Sequence, residues 1–241
     1  MKLKKGSNNK YGYVNKKTDS WVITPMYSKA TEFNKYGIAI VSVSDSRHII
    51  INKDNKNVTG KIYSDIEVMR YGYIMATEVN ISEDNELIGK AKCVFLRPDG
   101  VEIDALRGAF VIEVSRYKII KYTKNDKYGV YNLNTGKNIE AQYGRIFDFT
   151  DDKGLIDCAV VYDKGKAGMI DWDNNVIIPF NYDELIPYKR FGVVIAKVSD
   201  YYGVLDFAGN RVYPFEFTSY SVTNEEIKLN KIVTTVITNN T

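Results

Sequence analysis

The 241 residues carry 33 Lys/Arg and 30 Asp/Glu, a net charge of +3 with the one His neutral, and 44% of them are hydrophobic. Low hydrophobicity with high net charge marks a disordered chain, and this chain has neither. Membrane helices need about 18 or more consecutive apolar residues, whereas apolar runs here are short, such as Gly192 to Ala196, and two cysteines are too few for a disulfide scaffold.

The N-terminus, Met1 to Gly6, is charged, and no apolar stretch of about 7–15 residues follows it, so no cleaved signal and a cytoplasmic address are expected. Residues 1–70 hold 13 basic and 6 acidic side chains, a net +7, while residues 71–241 are net −4. The basic N-terminal third could attract an anionic surface. Nucleic-acid binders show a stronger, clustered excess, so no specific nucleic-acid partner is expected. Nineteen Tyr and only five Pro suit half-buried pleated surfaces better than helices.

In chain order, the first element is the step Tyr11-Gly12-Tyr13. A polar turn follows at 15–19, then the apolar run Trp21-Val22-Ile23, ending in Pro25. Pro has no N–H and is expected to stop the strand there. Tyr27, Ala30 and Phe33 come next at intervals of three, and Gly37 opens a third strand, Ile38-Ala39-Ile40-Val41. The same order returns five times. A degenerate copy begins near His48 and a weaker one near Cys93, with turns at 52–57 and 97–100. Tyr128-Gly129-Val130, Ala167-Gly168-Met169 and Tyr202-Gly203-Val204 start the last three, with turns at 132–136, 171–175 and 206–210. Asn, Asp, Gly and Lys between apolar runs are hairpin chemistry. The apolar run again ends at Pro179 and at Pro214, and Gly72, Gly154 and Gly192 stand before third strands.

The units lie near 9–45, 46–77, 91–124, 125–163, 164–199 and 200–238, with an acidic insertion at 77–92 and a C-terminal run through Val236-Ile237 that could complete the last unit. This is one all-β repeat domain of about six repeats, each of three to four short antiparallel strands. Three strands cannot bury both faces alone, so units must stack. Closing them as a six-bladed β-propeller removes exposed edges. An open twisted β-solenoid of hairpin repeats is the alternative.

The pattern resembles the bacterial WG-repeat (KWG-repeat) proteins. Lys166-Ala167-Gly168-Met169-Ile170-Asp171, Ile177-Ile178-Pro179 and Tyr182-Asp183-Glu184 follow that family's order, as do Lys10-Tyr11-Gly12-Tyr13-Val14-Asn15, Ile23-Thr24-Pro25 and Tyr27. The resemblance spans about residues 9–230. One departure is that Tyr or Ala stands where the family has the Trp of its Trp-Gly pair, and Trp21 and Trp172 lie elsewhere in the unit. The resemblance implies a β-repeat fold, no general catalytic set, and an interaction role.

Catalytic chemistry finds little support. His48 is the one His and abuts Ile49-Ile50-Ile51, which reads as a strand start. Cys93 and Cys158 sit in apolar strand patterns and read as small core residues. Asp171-Trp172-Asp173-Asn174-Asn175 has the oxygen spacing of a Ca²⁺ loop, but Val176 and Tyr182 stand where an EF-hand needs Gly and Glu, so an Asx turn is expected. Asp151-Asp152, Asp183-Glu184 and Glu225-Glu226 are neighbours whose side chains would point to opposite strand faces. No catalytic residue, metal ligand or cofactor is assigned.

Tyrosine combines apolar area with a polar tip and is enriched at interfaces. Tyr27, Tyr63, Tyr143 and Tyr182 recur in register and read as structural. The binding candidates are Tyr36, Tyr71, Tyr117, Tyr122, Tyr188 and Tyr201, which fall outside that register, together with Trp172. The function expected is a non-catalytic protein–protein interaction module, an adaptor or an immunity- or inhibitor-type binder. A carbohydrate or small-ligand binder is the second reading, and a propeller-type hydrolase the third.

Overall fold

The structure, a computed structural model, describes residues 1–81, 87–147 and 157–231. The chain divides into two compact units, Met1–Val114 and Ser115–Thr241. Both are all-β, and helix among the described residues is confined to three single 3-10 turns.

In the first unit β1 (Lys2–Lys5), β2 (Tyr11–Val14) and β3 (Trp21–Tyr27) form a three-stranded sheet. A six-stranded sheet follows: β4 (Lys29–Ala30), β5 (Ile38–Ser44), β6 (Arg47–Asn52), β7 (Ile62–Val68), β8 (Ile74–Ile81) and β9 (Leu87–Leu96). The last strand of this unit is β10 (Phe110–Val114). In the second unit β11 (Ile119–Lys124), β12 (Lys127–Asn132) and β13 (Asn138–Tyr143) pair in chain order. Two four-stranded sheets come next. One holds β14 (Arg145–Phe147), β15 (Cys158–Asp163), β16 (Lys166–Asp171) and β17 (Val176–Tyr182); the other holds β18 (Glu184–Tyr188), β19 (Val193–Val198), β20 (Tyr201–Asp206) and β21 (Arg211–Phe217). A hairpin of β22 (Ser219–Val222) and β23 (Ile227–Asn230) ends the described chain. Among the described residues the strands pair antiparallel with their chain neighbours, and none of the sheets closes on itself.

The inner strands read as unbroken apolar runs because both of their faces are covered. Side chains alternate along a strand, and β15 shows the result. Cys158 and Val160 join a core with Val194, Ala196 and Leu205 of the following sheet. Ala159 and Val161 join the opposite core, with Ile119, Val130 and Ile139 of the preceding strands. In the first unit β5 does the same: Ile38 packs with Ile74 and Val94, and Ala39 and Val41 with Tyr13 and Ile23.

The pairing frame is offset from the sequence repeat. The repeat at 164–199 gives β16 and β17 to one sheet and β18 and β19 to the next. The repeat at 200–238 likewise splits after β21. Each of these two repeats therefore stitches two sheets together.

Three expectations are corrected by the strand bounds. Pro25, Pro179 and Pro214 do not end their strands but lie inside β3, β17 and β21. Pairing resumes beyond each, at Tyr11↔Tyr27, Ala167↔Tyr182 and Tyr202↔Phe217, across a shift in register. All three strands are last in their sheets, where a missing N–H breaks no ladder. Residues 77–81 and 87–92, expected as a loop-like insertion, continue β8 and β9 as a long hairpin with Glu78↔Lys92 and Asn80↔Ile88 opposed. Finally, β7 ends one sheet's worth of strands and begins another, so two repeats share one sheet. Glu83, Asp84, Glu86, Asp151, Asp152, Gly154 and the run at Val236-Ile237 lie outside the described residues.

The step "Gly between two side chains" has a steric cause. A Cβ on Gly168 would lie 2.8 Å from the Phe180 ring, and one on Gly203 would lie 2.9 Å from the Phe215 ring. Each aromatic on the edge strand covers a glycine on its neighbour.

Candidate functional site

Register tyrosines staple adjacent sheets. Tyr27 donates its hydroxyl to Asn55 Oδ1 at 2.6 Å, and Tyr143 donates to Asn174 Oδ1 at 2.6 Å. Asn55 and Asn174 hold the left-handed place in equivalent turns (φ 62° and 63°), a conformation Asn tolerates. Tyr63 holds the matching register position, but the equivalent turn has Gly100 there. Its hydroxyl is buried with no hydrogen-bond partner among the described residues. Burial pushes the Tyr63 pKa up, partly offset by the Thr59 hydroxyl and Lys61.

The candidate tyrosines separate into two groups. Tyr36 and Tyr71, 51% and 47% exposed, stand on the turns 34–37 and 69–72, which enter β5 and β8. Tyr117 is half-buried on the turn 115–118, which enters β11. Tyr36, Tyr71 and Tyr117 are therefore in register after all. The third member of each turn is aromatic, with Phe191 as the fourth example, and the second is basic: Lys35, Arg70, Arg116 and Arg190. Lys35 Nζ stands 5.0 Å from the Tyr36 ring centre, and Arg116 Cζ stands 4.9 Å from that of Tyr117. The register that begins at Tyr27 does not contain this one, although the four residues ending at the strand-opening Gly37, Gly72 and Gly192, and at Lys118, carry it.

The other candidates behave differently. Tyr122 is a core residue, 1% exposed, donating to Asn138 Oδ1 at 2.9 Å, with burial pushing its hydroxyl up to about 12. Burial removes it from any binding surface. Trp172 packs half-buried against the core around Ile139 and Ile170. Tyr188 meets Tyr220 edge-on at 6.5 Å, and Tyr202 meets the same ring at 5.1 Å. Burial, and then Tyr188, push the Tyr220 hydroxyl up. Tyr201 opens β20 and is 48% exposed.

Two clefts lie among the described residues, one in each unit. In the first, about 230 Å³ lies between the turns at 34–37 and 69–72, lined by Thr31, Glu32, Asn34, Ile38, Val68 and Gly72 among others. In the second, about 300 Å³ is lined by Asp157, Cys158, Met169, Ile177, Lys189 and Phe207.

Turn and charge chemistry is otherwise structural. Asp171 Oδ1 accepts the N–H groups of Asp173 and Asn175, both at 2.8 Å, and Asp206 Oδ1 accepts those of Ala208 and Asn210. The Asn175 side chain, with these N–H groups, holds the Asp171 carboxyl below the usual range. The turn at 171–175 is thus the Asx turn of its repeat. No group of three His, Cys, Asp or Glu side chains among the described residues is placed to hold a metal. His48 is a cross-strand partner of Ser42, with Nδ1 2.8 Å from the hydroxyl. In the first unit Lys61, Glu78, Glu102 and Arg107 form a closed quartet: Lys61 bonds Glu78 at 3.0 Å and Glu102 at 2.6 Å, and Arg107 bonds both carboxylates.

A family model for the WG containing repeat matches residues 11–45 and 168–202. The chain carries WG-containing repeats. The two matched segments each run from the Gly-bearing strand, β2 or β16, through the bulged Pro strand to the following hairpin. A WG repeat is therefore the unit that spans two sheets. No curated protein matches the chain. Among solved structures it is similar to the eukaryotic initiation factor (11% identity, 91% of this chain and 64% of that one, TM-score 0.38). It is also similar to Kluyveromyces lactis Hsv2p (10% identity, 82% of this chain and 68% of that one, TM-score 0.30). The chain thus spans 64% of the length of the initiation-factor chain. No helix among the described residues is long and apolar enough to cross a membrane.

Proposed function

We propose that this chain is a non-catalytic protein–protein interaction module of a bacterial cytoplasm, an adaptor or an immunity- or inhibitor-type binder. One observation carries the reading: a basic residue followed by an aromatic recurs at the surface on the turns that enter β5, β8, β11 and β19. Aromatic and basic side chains on a rigid β scaffold are the usual anchors of protein interfaces. The carboxylates with displaced pKa values agree with it. Asp19, Asp99, Glu102, Asp171, Asp183 and Asp206 are all held low by hydrogen bonds and cations, whereas a general acid needs a raised one. The repeats are proposed to close as a six-bladed ring, which solution scattering would distinguish from an extended array. The test of function is capture of partners from host lysate on the immobilised protein at two salt concentrations. One stoichiometric protein retained at both is expected; none retained at either sinks the reading.

The cleft in the second unit favours a second reading, a small-ligand site. Apolar walls with Asp157 and Lys189 at the lining suit a small amphipathic molecule. A metabolite and glycan screen by NMR, read at Met169, would show shifts for that class.

A further inference from the structure

We propose that the turns Lys35–Tyr36 and Arg70–Tyr71 of the first unit form a docking surface for an acidic segment of a partner polypeptide, one apolar side chain of which enters the cleft between them. This deepens the interaction-module reading and rests on it.

The cleft comes first. Asn34 and Gly72 stand at its two sides, and Ile38, Ile40, Val68 and Ile74 supply apolar wall. A space of about 230 Å³ admits a leucine-sized side chain. The residues that follow Asn34 and precede Gly72 in the chain are basic and aromatic, Lys35-Tyr36 and Arg70-Tyr71, and all four are exposed. Lys53 adds a third cation beside Gly37, where a Cβ would lie 3.8 Å from Lys53 Cε.

The facing acids are already engaged. Glu32 accepts the Leu3 N–H at 3.2 Å with both oxygens, and Asp99 pairs with Arg97. No ion pair involves Lys35, Lys53 or Arg70 among the described residues. Glu32 keeps its charge while accepting a neutral N–H, and Lys35, Lys53 and Arg70 outnumber it, so these residues leave a net positive charge, which sets the sign of the partner.

Packing within the fold covers only part of the two tyrosines. Each leaves about half of its surface in water. Tyr71 also adopts φ 62°, ψ 13°, left-handed backbone that is strained for a bulky residue. A smaller polar residue would hold the turn with less strain. A polypeptide is favoured over nucleic acid because the first unit, residues 1–114, has 17 basic and 14 acidic side chains, only +3. A narrow apolar cleft also suits an aliphatic side chain better than a base.

The probe is a short fluorescein-labelled peptide of alternating Glu and Ser with one central Leu, titrated with the whole protein and read by anisotropy. Saturable binding that weakens with added salt is expected. Replacing the peptide's Leu by Ser should weaken it several-fold. The double variant Lys35→Glu/Arg70→Glu should weaken it at least about tenfold, the scale of losing close charge pairs, with an unchanged melting temperature because both side chains are exposed. Tyr36→Ala/Tyr71→Ala is the uncharged counterpart and should also weaken binding. Equal binding by the charge-reversed variant, equal binding of a Lys-for-Glu peptide, or tighter binding of oligothymidylate than of the peptide would each overturn the proposal. Partner capture repeated with the charge-reversed variant separates the two readings: undiminished capture overturns this surface and leaves the module reading standing.

Discussion

The two units solve the same packing problem with different chemistry. In the second, β14–β17 and β18–β21 are separate four-stranded sheets, and the core between them is apolar from Val160 through Leu205. In the first, two sheets' worth of strands run together through β7, which meets β6 at a single pair, His48↔Tyr63. The quartet of Lys61, Glu78, Glu102 and Arg107 lies on this stretch and adds the polar cross-links. The difference follows the sequence. The second unit keeps the Gly, Pro and Tyr steps of the repeat, whereas between His48 and Cys93 the Gly and Pro steps decay, and charge pairs are added there to the apolar core around Ile50, Tyr63 and Val94.

Removing Glu102 breaks this contrast most sharply. Burial pushes the Glu102 carboxyl up, and Lys61 and Arg107 more than offset this, so its pKa is lowered. A carboxyl depressed in the folded state contributes stability above its unfolded pKa, near 4.3–4.5, and that contribution is lost as pH falls through the folded value. Glu102→Ala should cost about 2 kcal/mol at pH 7, between the scales of an exposed and a buried ion pair, because Lys61 and Arg107 keep Glu78 as a shared partner; urea unfolding reads it. The same variant should flatten the loss of stability below about pH 4.5.

The steric device of the second unit should be nearly as sensitive. Gly168→Ala and Gly203→Ala each push a Cβ into a ring, and forced overpacking costs about 1–3 kcal/mol. A melting temperature unchanged in both variants would show that Phe180 and Phe215 can move aside freely.

The tyrosine staples give a finer comparison. Tyr143→Phe removes a hydrogen bond to Asn174 and should cost about 1 kcal/mol. Tyr63→Phe removes a hydroxyl without a partner and should be neutral or slightly stabilising. Denaturant midpoints of the pair, measured side by side, test the ordering. The smallest effect is a gain. Gly100→Asn would place an acceptor where Asn55 and Asn174 have one, and should add a few tenths of a kcal/mol, less if Val58, 3.3 Å from the new Cβ, cannot yield.

Much of this was legible in the residues. The Gly steps, turns and apolar runs marked the strands because hairpin chemistry is local. The bulge at Pro was not, since Pro25, Pro179 and Pro214 read as stops until the partner strand shows pairing on both sides of them. The quartet was not either: Lys61, Glu78, Glu102 and Arg107 share no period, and only the long β8–β9 hairpin brings them together. For the candidate site, Tyr36, Tyr71 and Tyr117 were singled out for the wrong reason, as exceptions to a register, when they belong to a second one. Tyr122 was misread because nothing in Lys121-Tyr122-Thr123 distinguishes a ring turned inward from one turned outward.

The half-step between repeat and sheet bears on how such a chain can change length. Excising residues 164–199 would take β16 to β19 and leave β14 and β15 facing β20 and β21, four strands in the original order. Recombination between copies would thus splice two half-sheets into a whole one. A gene built this way can lose or duplicate a repeat without stranding an unpaired edge, and the number of basic–aromatic turns can drift with it.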